Sequence, residues 1–170
     1  MKFKSVPLYS FILFAAFFCV SCKFNENKRT SGVDFLQGKW KEDAVANKAQ
    51  LLTYQQHQFY FTCDSFYLQV TTFYKVNLQG GLCFDKNHWD EFAKGNYQMV
   101  KDTLKLDGNF VTKDYKYKAD GTCYRNGKYL EDFLLVKRTD SILIFKSLQT
   151  GLSHQLNLKQ KGECTLQKAP

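Results

Sequence analysis

The sequence predicts an all-β protein, an eight-stranded antiparallel up-and-down barrel, on three observations. Aromatic residues make up 16% of the 170 residues, with 16 Phe and 10 Tyr, a composition that favours strands. An Asp–Ser or Asp–Thr pair recurs every 38 residues, at 64–65, 102–103 and 140–141. These side chains suit tight corners because they can hydrogen-bond to the turn backbone. After each corner, apolar residues recur two apart, as a strand with one face on a core requires.

Residues 1–21 are predicted to be a lipoprotein signal peptide. Lys2 and Lys4 supply a basic start, and the apolar run over 6–18 is shorter than the roughly 20 residues of a membrane-spanning helix. The run ends at Ser21–Cys22, which resembles a bacterial lipoprotein cleavage site with Cys22 as the lipidated residue. We therefore expect acyl chains to anchor the protein on the outer side of a bacterial cell envelope. A plain secreted protein and an uncleaved anchor are the alternatives.

The rest of the chain divides into a polar tether, residues 22–35, a barrel over 36–165 and a tail, 166–170. Tight corners follow strands two, four and six, so they share one end, the closed end. Longer connections share the other, open end. Eight strands in meander order can close into a barrel and so remove both exposed edges. We assign Ile142 and Ile144 to the inward face. The predicted strands are 36–43, 56–63, 65–76, 92–101, 103–112, 128–138, 141–148 and 154–161.

Four cysteines in the barrel predict two disulfides, because the protein is expected to be exported. Cys63 and Cys164 belong to the closed end, and Cys83 and Cys123 belong to open-end connections. An eight-residue strand is about 26 Å long, whereas bridged Cα atoms lie within about 7 Å. The expected pairs are therefore Cys63–Cys164 and Cys83–Cys123. Metal binding is the alternative, but none of the four forms a Cys-x-x-Cys pair.

The start of the first strand, Gly38-Lys39-Trp40, resembles the opening motif of the lipocalin superfamily. Thr139 and Asp140, at the corner between strands six and seven, match part of the second lipocalin motif. The resemblance implies a lipocalin-like barrel with Trp40 at its closed end. The third motif is an Arg that covers the Trp, and the candidates for that role are Arg138, Lys159 and Lys161.

At a finer level, segments 51–55, 61–67 and 92–97, together with His57, resemble a family of small bacterial lipoproteins often labelled fumarate hydratase. The residues do not support that activity. Fumarases are much longer, and this sequence has neither their Ser-rich signature loop nor cysteines spaced for an iron–sulfur cluster. We find no catalytic constellation and therefore expect a protein that is not an enzyme.

We also expect no metal, cofactor or nucleic acid. In the sequence, His57, His88 and His154 have no partner histidine or carboxylate at the spacing of a metal site or triad. Without Lys2 and Lys4 the chain has 22 basic and 16 acidic residues, and the basic ones are scattered. A nucleic-acid surface would need them in a stripe or patch.

Two functions remain open at this point. A binding module would hold a small hydrophobic ligand in the barrel, or a protein partner on the open-end loops. A structural or inhibitor-like interaction protein would instead have a barrel filled by its own side chains. The candidate ligand contacts are Phe59, Phe61, Phe66, Trp89, Tyr97 and Phe133.

Replacing Cys22 with Ser tests the anchor. The variant has no thiol to carry the lipid, so we expect it to move from the membrane fraction to the soluble fraction on cell fractionation. Cys19→Ser is the matched control and stays membrane-bound. Equal membrane retention of both variants would contradict a lipid anchor on Cys22.

Overall fold

The computed structural model describes residues 30–43, 45, 48–76, 82–84, 87–119 and 123–165. Their strands form one closed antiparallel barrel in up-and-down order, with β1 pairing β8 to complete it. The predicted fold class is therefore confirmed. None of the helices in the described ranges is long and apolar enough to cross a membrane. The strands are β1 (Gly38–Glu42), β2 (Thr53–Thr62), β3 (Ser65–Tyr74), β4 (His88–Val100), β5 (Thr103–Val111), β6 (Lys128–Arg138), β7 (Ile142–Ser147) and β8 (Ser153–Lys161).

The tight corners lie where the sequence places them, but two strands start earlier than predicted. Cys63–Asp64 and Lys101–Asp102 are two-residue turns, and the first residue of each has a positive φ. β2 begins at Thr53, and β4 begins at His88 because its pairing with β3 runs on as far as Phe73. Trp89 therefore belongs to a strand and not to a loop.

The assignment of Ile142 and Ile144 to the inward face is wrong by one residue. Leu143, Phe145 and Ser147 are the buried members of β7, with 0%, 2% and 1% exposure. The run from 142 to 145 is apolar at every position, so a period of two cannot tell its faces apart. The pairing of β6 with β7 also shifts register between Leu135 and Lys137, near this corner.

The chain before β1 covers the closed end of the barrel. A single turn of 3-10 helix, Asp34–Leu36, buries Leu36 completely, and its carbonyl accepts a 2.7 Å hydrogen bond from the Trp40 indole. The guanidinium of Arg138 stacks over Phe35 at 4.4 Å. Residues 30–35, which the sequence analysis assigns to the tether, thus pack against the barrel.

A hydrogen-bond network fastens this segment to the β2–β3 corner. The Tyr97 hydroxyl donates to the Cys63 carbonyl at 2.6 Å and accepts from the Val33 amide at 3.0 Å. The Gln37 side chain donates to the Tyr97 hydroxyl and accepts from the Cys63 amide at 2.7 Å. Because Cys63 is also bonded to Cys164, the same point holds the end of β8.

Both disulfides have the pairing that the strand layout predicts. Cys63–Cys164 spans 101 residues at the closed end, and Cys83–Cys123 joins two open-end connections across 40 residues. Closing loops of this length is expected to stabilise the folded state by about 4 kcal/mol each through the entropy of the unfolded chain. The signal peptide, Cys22 and the 166–170 tail lie outside the described residues.

Tyr97→Phe tests the closed-end network. It leaves the partly buried Val33 amide without its acceptor, so we expect the free energy of unfolding in urea to fall by about 1–3 kcal/mol. Tyr117→Phe, at a residue 71% exposed, is the control and changes it by less than about 0.5 kcal/mol. Equal, small effects of both substitutions would show that the network adds nothing to stability.

Candidate functional site

The barrel interior changes from apolar to polar between its closed and open ends. Along β2 the inward-facing residues Phe61 and Phe59 are followed, toward the open end, by His57. Every buried side-chain nitrogen and oxygen in the described part of the chain has a hydrogen-bond partner. The open half is therefore a satisfied polar network. Its inward polar residues are Glu42, His57, Thr72, Glu91, Glu131, Ser147 and His154.

A carboxylate between two imidazoles lies at the centre of this polar half. Glu42 ends β1, and its neighbours β2 and β8 supply His57 and His154. Glu42 Oε2 lies 2.9 Å from His57 Nδ1, and Oε1 lies 3.2 Å from His154 Nδ1. The His57 amide also donates to Oε2 at 3.1 Å, and the two rings meet edge to face at 4.6 Å. The three side chains form one unit, the Glu42 cluster.

The Glu42 carboxyl is ionised despite its burial. Burial alone would raise its pKa, but hydrogen bonds from His154 and His57 outweigh that effect and hold the pKa at about 2. Because this carboxylate accepts from both rings, each imidazole must carry a proton on Nδ1. The cluster lies directly above apolar packing, since Phe59 stacks on His57 and Phe133 meets His154 edge-on.

A second buried carboxylate, Glu91, lies on β4 in the same polar half of the barrel. The Arg125 guanidinium donates to both of its oxygens at 2.8 Å, and the Trp89 indole donates to Oε2 at 3.3 Å. Burial would raise the pKa of Glu91, but the hydrogen bonds and charge of Arg125 lower it overall. The Arg125 side chain is 50% exposed, so one cation borders both the interior and solvent.

An aromatic recess of about 460 Å³ opens beside this pair. The Phe84 ring meets Trp89 edge to face at 4.9 Å, and Trp89 lies parallel to Tyr124 at 6.4 Å. The Cys83–Cys123 disulfide holds the two connections together, and the Tyr124 hydroxyl donates to the Cys83 carbonyl at 2.7 Å. The residues that line the recess are Gln55, Phe84, Trp89, Glu91, Tyr124 and Arg125.

The structure separates the ligand contacts named from the sequence. Only Trp89 lines the recess. Tyr97 belongs to the closed-end network. The remaining four pack together in the apolar core of the closed half, and they are Phe59, Phe61, Phe66 and Phe133. The ring centroid of Phe59 lies 5.4 Å from that of Phe61 and 6.2 Å from that of Phe133.

The Glu42 cluster and the Glu91–Arg125 pair were not predicted from the sequence. His57 and His154 each have Glu42 as a partner, at sequence separations of 15 and 112 residues, and a search for partners at local spacing does not find such contacts. A usable signal was present. Each cluster residue lies two positions from a core residue on its own strand, so the strand period alone would have placed all three inside.

Comparison of the chain with protein-family models, with curated proteins and with solved structures finds no match.

Glu91→Gln tests the open-half ion pair through pH. Since the folded state lowers the pKa of Glu91, the contribution of its carboxylate to stability is complete above about pH 4.5 and is lost as the pH falls through the lowered value. We expect Glu91→Gln to reduce the free energy of unfolding at neutral pH, and the gap to wild type to shrink in acid.

The matched control for this titration is Asp107→Asn, because Asp107 pairs with Lys128 on the surface with both side chains more than 60% exposed. Urea unfolding across the pH range should show a small and nearly constant effect there. A gap for Glu91→Gln that stays constant or widens in acid would contradict the assignment.

Proposed function

We propose that this protein is a lipid-anchored binding protein of the cell envelope that takes a small, largely apolar ring compound in the open-end recess. The aromatic recess carries the proposal. Phe84, Trp89 and Tyr124 present ring faces and edges to a volume of about 460 Å³, and ligand sites commonly measure about 300–1,000 Å³. Rings of this kind favour flat apolar partners through stacking and edge contacts.

Two polar groups would orient such a ligand. The Arg125 guanidinium is half exposed at the recess, and Gln55 offers an amide from β2. A ligand with an oxygen acceptor at one edge would satisfy both shape and chemistry. The disulfide beside the recess favours a preformed site, which lowers the entropic cost of binding.

The barrel architecture supports a lipocalin-like carrier as the parent type. Trp40, in the Gly-x-Trp motif, lies fully buried at the closed end, and the loops surround the other end. Because side chains fill the closed half, the proposed ligand would lie in the open half, away from the aromatic core residues named from the sequence. No residue of the polar half is assigned a role in catalysis.

The proposed anchor would orient the barrel, and with it the recess, relative to the membrane. The amide of Thr30 donates to Asp64 at the closed-end corner, and Cys22 precedes Thr30 by eight positions, a distance of at most roughly 28 Å along an extended chain. A lipid on Cys22 would therefore keep the closed end near the bilayer. The open end would be free to face the surrounding compartment.

A second candidate function, an interaction protein, is favoured by a groove of about 730 Å³ on the outer face of β3, β4 and β5. Gly95 and Gly108 pair at its floor, where any Cβ would lie within 2.2 Å of a neighbouring carbonyl oxygen. Lys94 lies over the Tyr117 ring at 4.9 Å on its wall. A basic, tyrosine-lined groove suits an acidic partner.

Native mass spectrometry of the protein, gently purified from its own host, tests the first proposal. We expect a reproducible extra mass that is lost on denaturation, and extraction then identifies the ligand. Trp89→Ala removes the central ring of the recess and should lower the occupied fraction at least tenfold. The control Tyr117→Ala, in the outer groove, should keep the ligand.

A wild-type mass that does not change on denaturation, with folding verified by circular dichroism, would overturn the carrier proposal. Loss of the extra mass in Tyr117→Ala but not in Trp89→Ala would move the site to the outer groove.

A further inference from the structure

We propose that Glu42, His57 and His154 form a binding site for one divalent transition-metal ion of the zinc type inside the barrel. The site is separate from the ligand function, since it lies one inward-facing position deeper on β2 than Gln55 of the recess. Its case rests on the geometry, burial and chemistry of the three side chains.

The three side chains already converge closely enough to share an ion. One ligand atom of each lies within 4.8 Å of the others, and the two carboxylate–imidazole distances are 2.9 and 3.2 Å. Tetrahedral zinc with bonds of about 2.0–2.1 Å separates its ligand atoms by roughly 3.3 Å. Binding therefore needs only small side-chain shifts. The ion takes the place of the two hydrogen-bonding protons, and each ring proton moves from Nδ1 to Nε2.

The charge balance of the cluster favours a cation. An ionised carboxylate is costly to bury unless an opposite charge or several donors compensate it. With two neutral imidazoles, the Glu42 cluster carries one negative charge at a residue that is 3% exposed. A divalent ion would reverse that charge.

The donor set points to the class of ion. Two imidazole nitrogens and one carboxylate oxygen suit zinc and its first-row neighbours, and leave one coordination position for water or ligand. Calcium and magnesium prefer sites built from oxygen atoms and are not expected here.

The cluster is held by a stiff scaffold and has a route to solvent. Its members lie on three consecutive strands of the closed barrel, β2, β1 and β8. Phe59 and Phe133 pack against the two rings and restrict their rotation. The His57 and His154 side chains are 10% and 11% exposed, so an ion can reach them from the open half.

Calorimetric titration of the full mature chain tests the site. The protein is purified in detergent without a histidine tag, with its disulfides intact, and is stripped of metal. We expect one Zn²⁺ per chain, with a dissociation constant in the micromolar range or tighter, a higher melting temperature with Zn²⁺, and no effect of Mg²⁺.

His57→Gln and His154→Gln should each weaken Zn²⁺ binding at least tenfold, since each removes one nitrogen ligand but can still hydrogen-bond. The matched control is His88→Gln, at the open-end start of β4, where the ring contacts Asn87 and Phe73. It should bind Zn²⁺ as wild type does. Absence of stoichiometric binding, or equal affinity in all three variants, would overturn the proposal.

Zinc X-ray absorption on the wild-type protein keeps the proposal testable if a variant fails to fold. We expect two imidazole nitrogens together with oxygen ligands at about 2.0–2.1 Å. A spectrum with sulfur ligands, or with oxygen ligands alone, would place the ion elsewhere and contradict the site.

Discussion

The barrel depends on a carboxylate that holds its seam. β1 has only five residues, yet it must pair with β2 on one side and with β8 on the other to close the sheet. Glu42, at the end of β1, binds His57 of β2 and His154 of β8. One side chain therefore links β1 to both of the strands that it pairs with. The Cys63–Cys164 bond and the Tyr97 network secure the same three strands at the closed end. Barrel closure is thus stabilised at two places, the Glu42 cluster and the closed end.

At the level of the Glu42 cluster the interior of the barrel changes from apolar to polar side chains. Below the Glu42 cluster, aromatic and aliphatic side chains fill the barrel, as the contacts of Phe59, Phe61 and Phe133 show. In the polar half, the two buried carboxylates of the described residues, Glu42 and Glu91, are compensated by imidazole, guanidinium or indole groups. A filled closed half and a polar, partly solvated open half can coexist because the same strands run through both. The change from apolar to polar side chains occurs within one or two inward-facing positions.

Much of the fold could be predicted from the sequence because its signals are local. Corner residues, strand period and loop lengths determine the strand order and which end of the barrel is closed. Strand order and closed end together determine the cysteine pairing. The face of β7 could not be predicted, because all four residues from Ile142 to Phe145 are apolar. The site could not be predicted from spacing, because barrel closure brings β8 beside β1, and that brings His154 to Glu42 across 112 residues. Local sequence patterns indicate whether a side chain faces the barrel interior. They do not indicate which side chain of the adjacent strand it contacts.

The central claim, that one carboxylate joins three strands, is tested most directly by long-range ¹H–¹⁵N NMR of the imidazoles in the metal-free protein at neutral pH. The account predicts that His57 and His154 both carry a proton on Nδ1, that these protons exchange slowly with water, and that both signals change in Glu42→Gln while His88 does not. Rings protonated only at Nε2, or with protons in fast exchange with solvent, would show that Glu42 does not hold the seam.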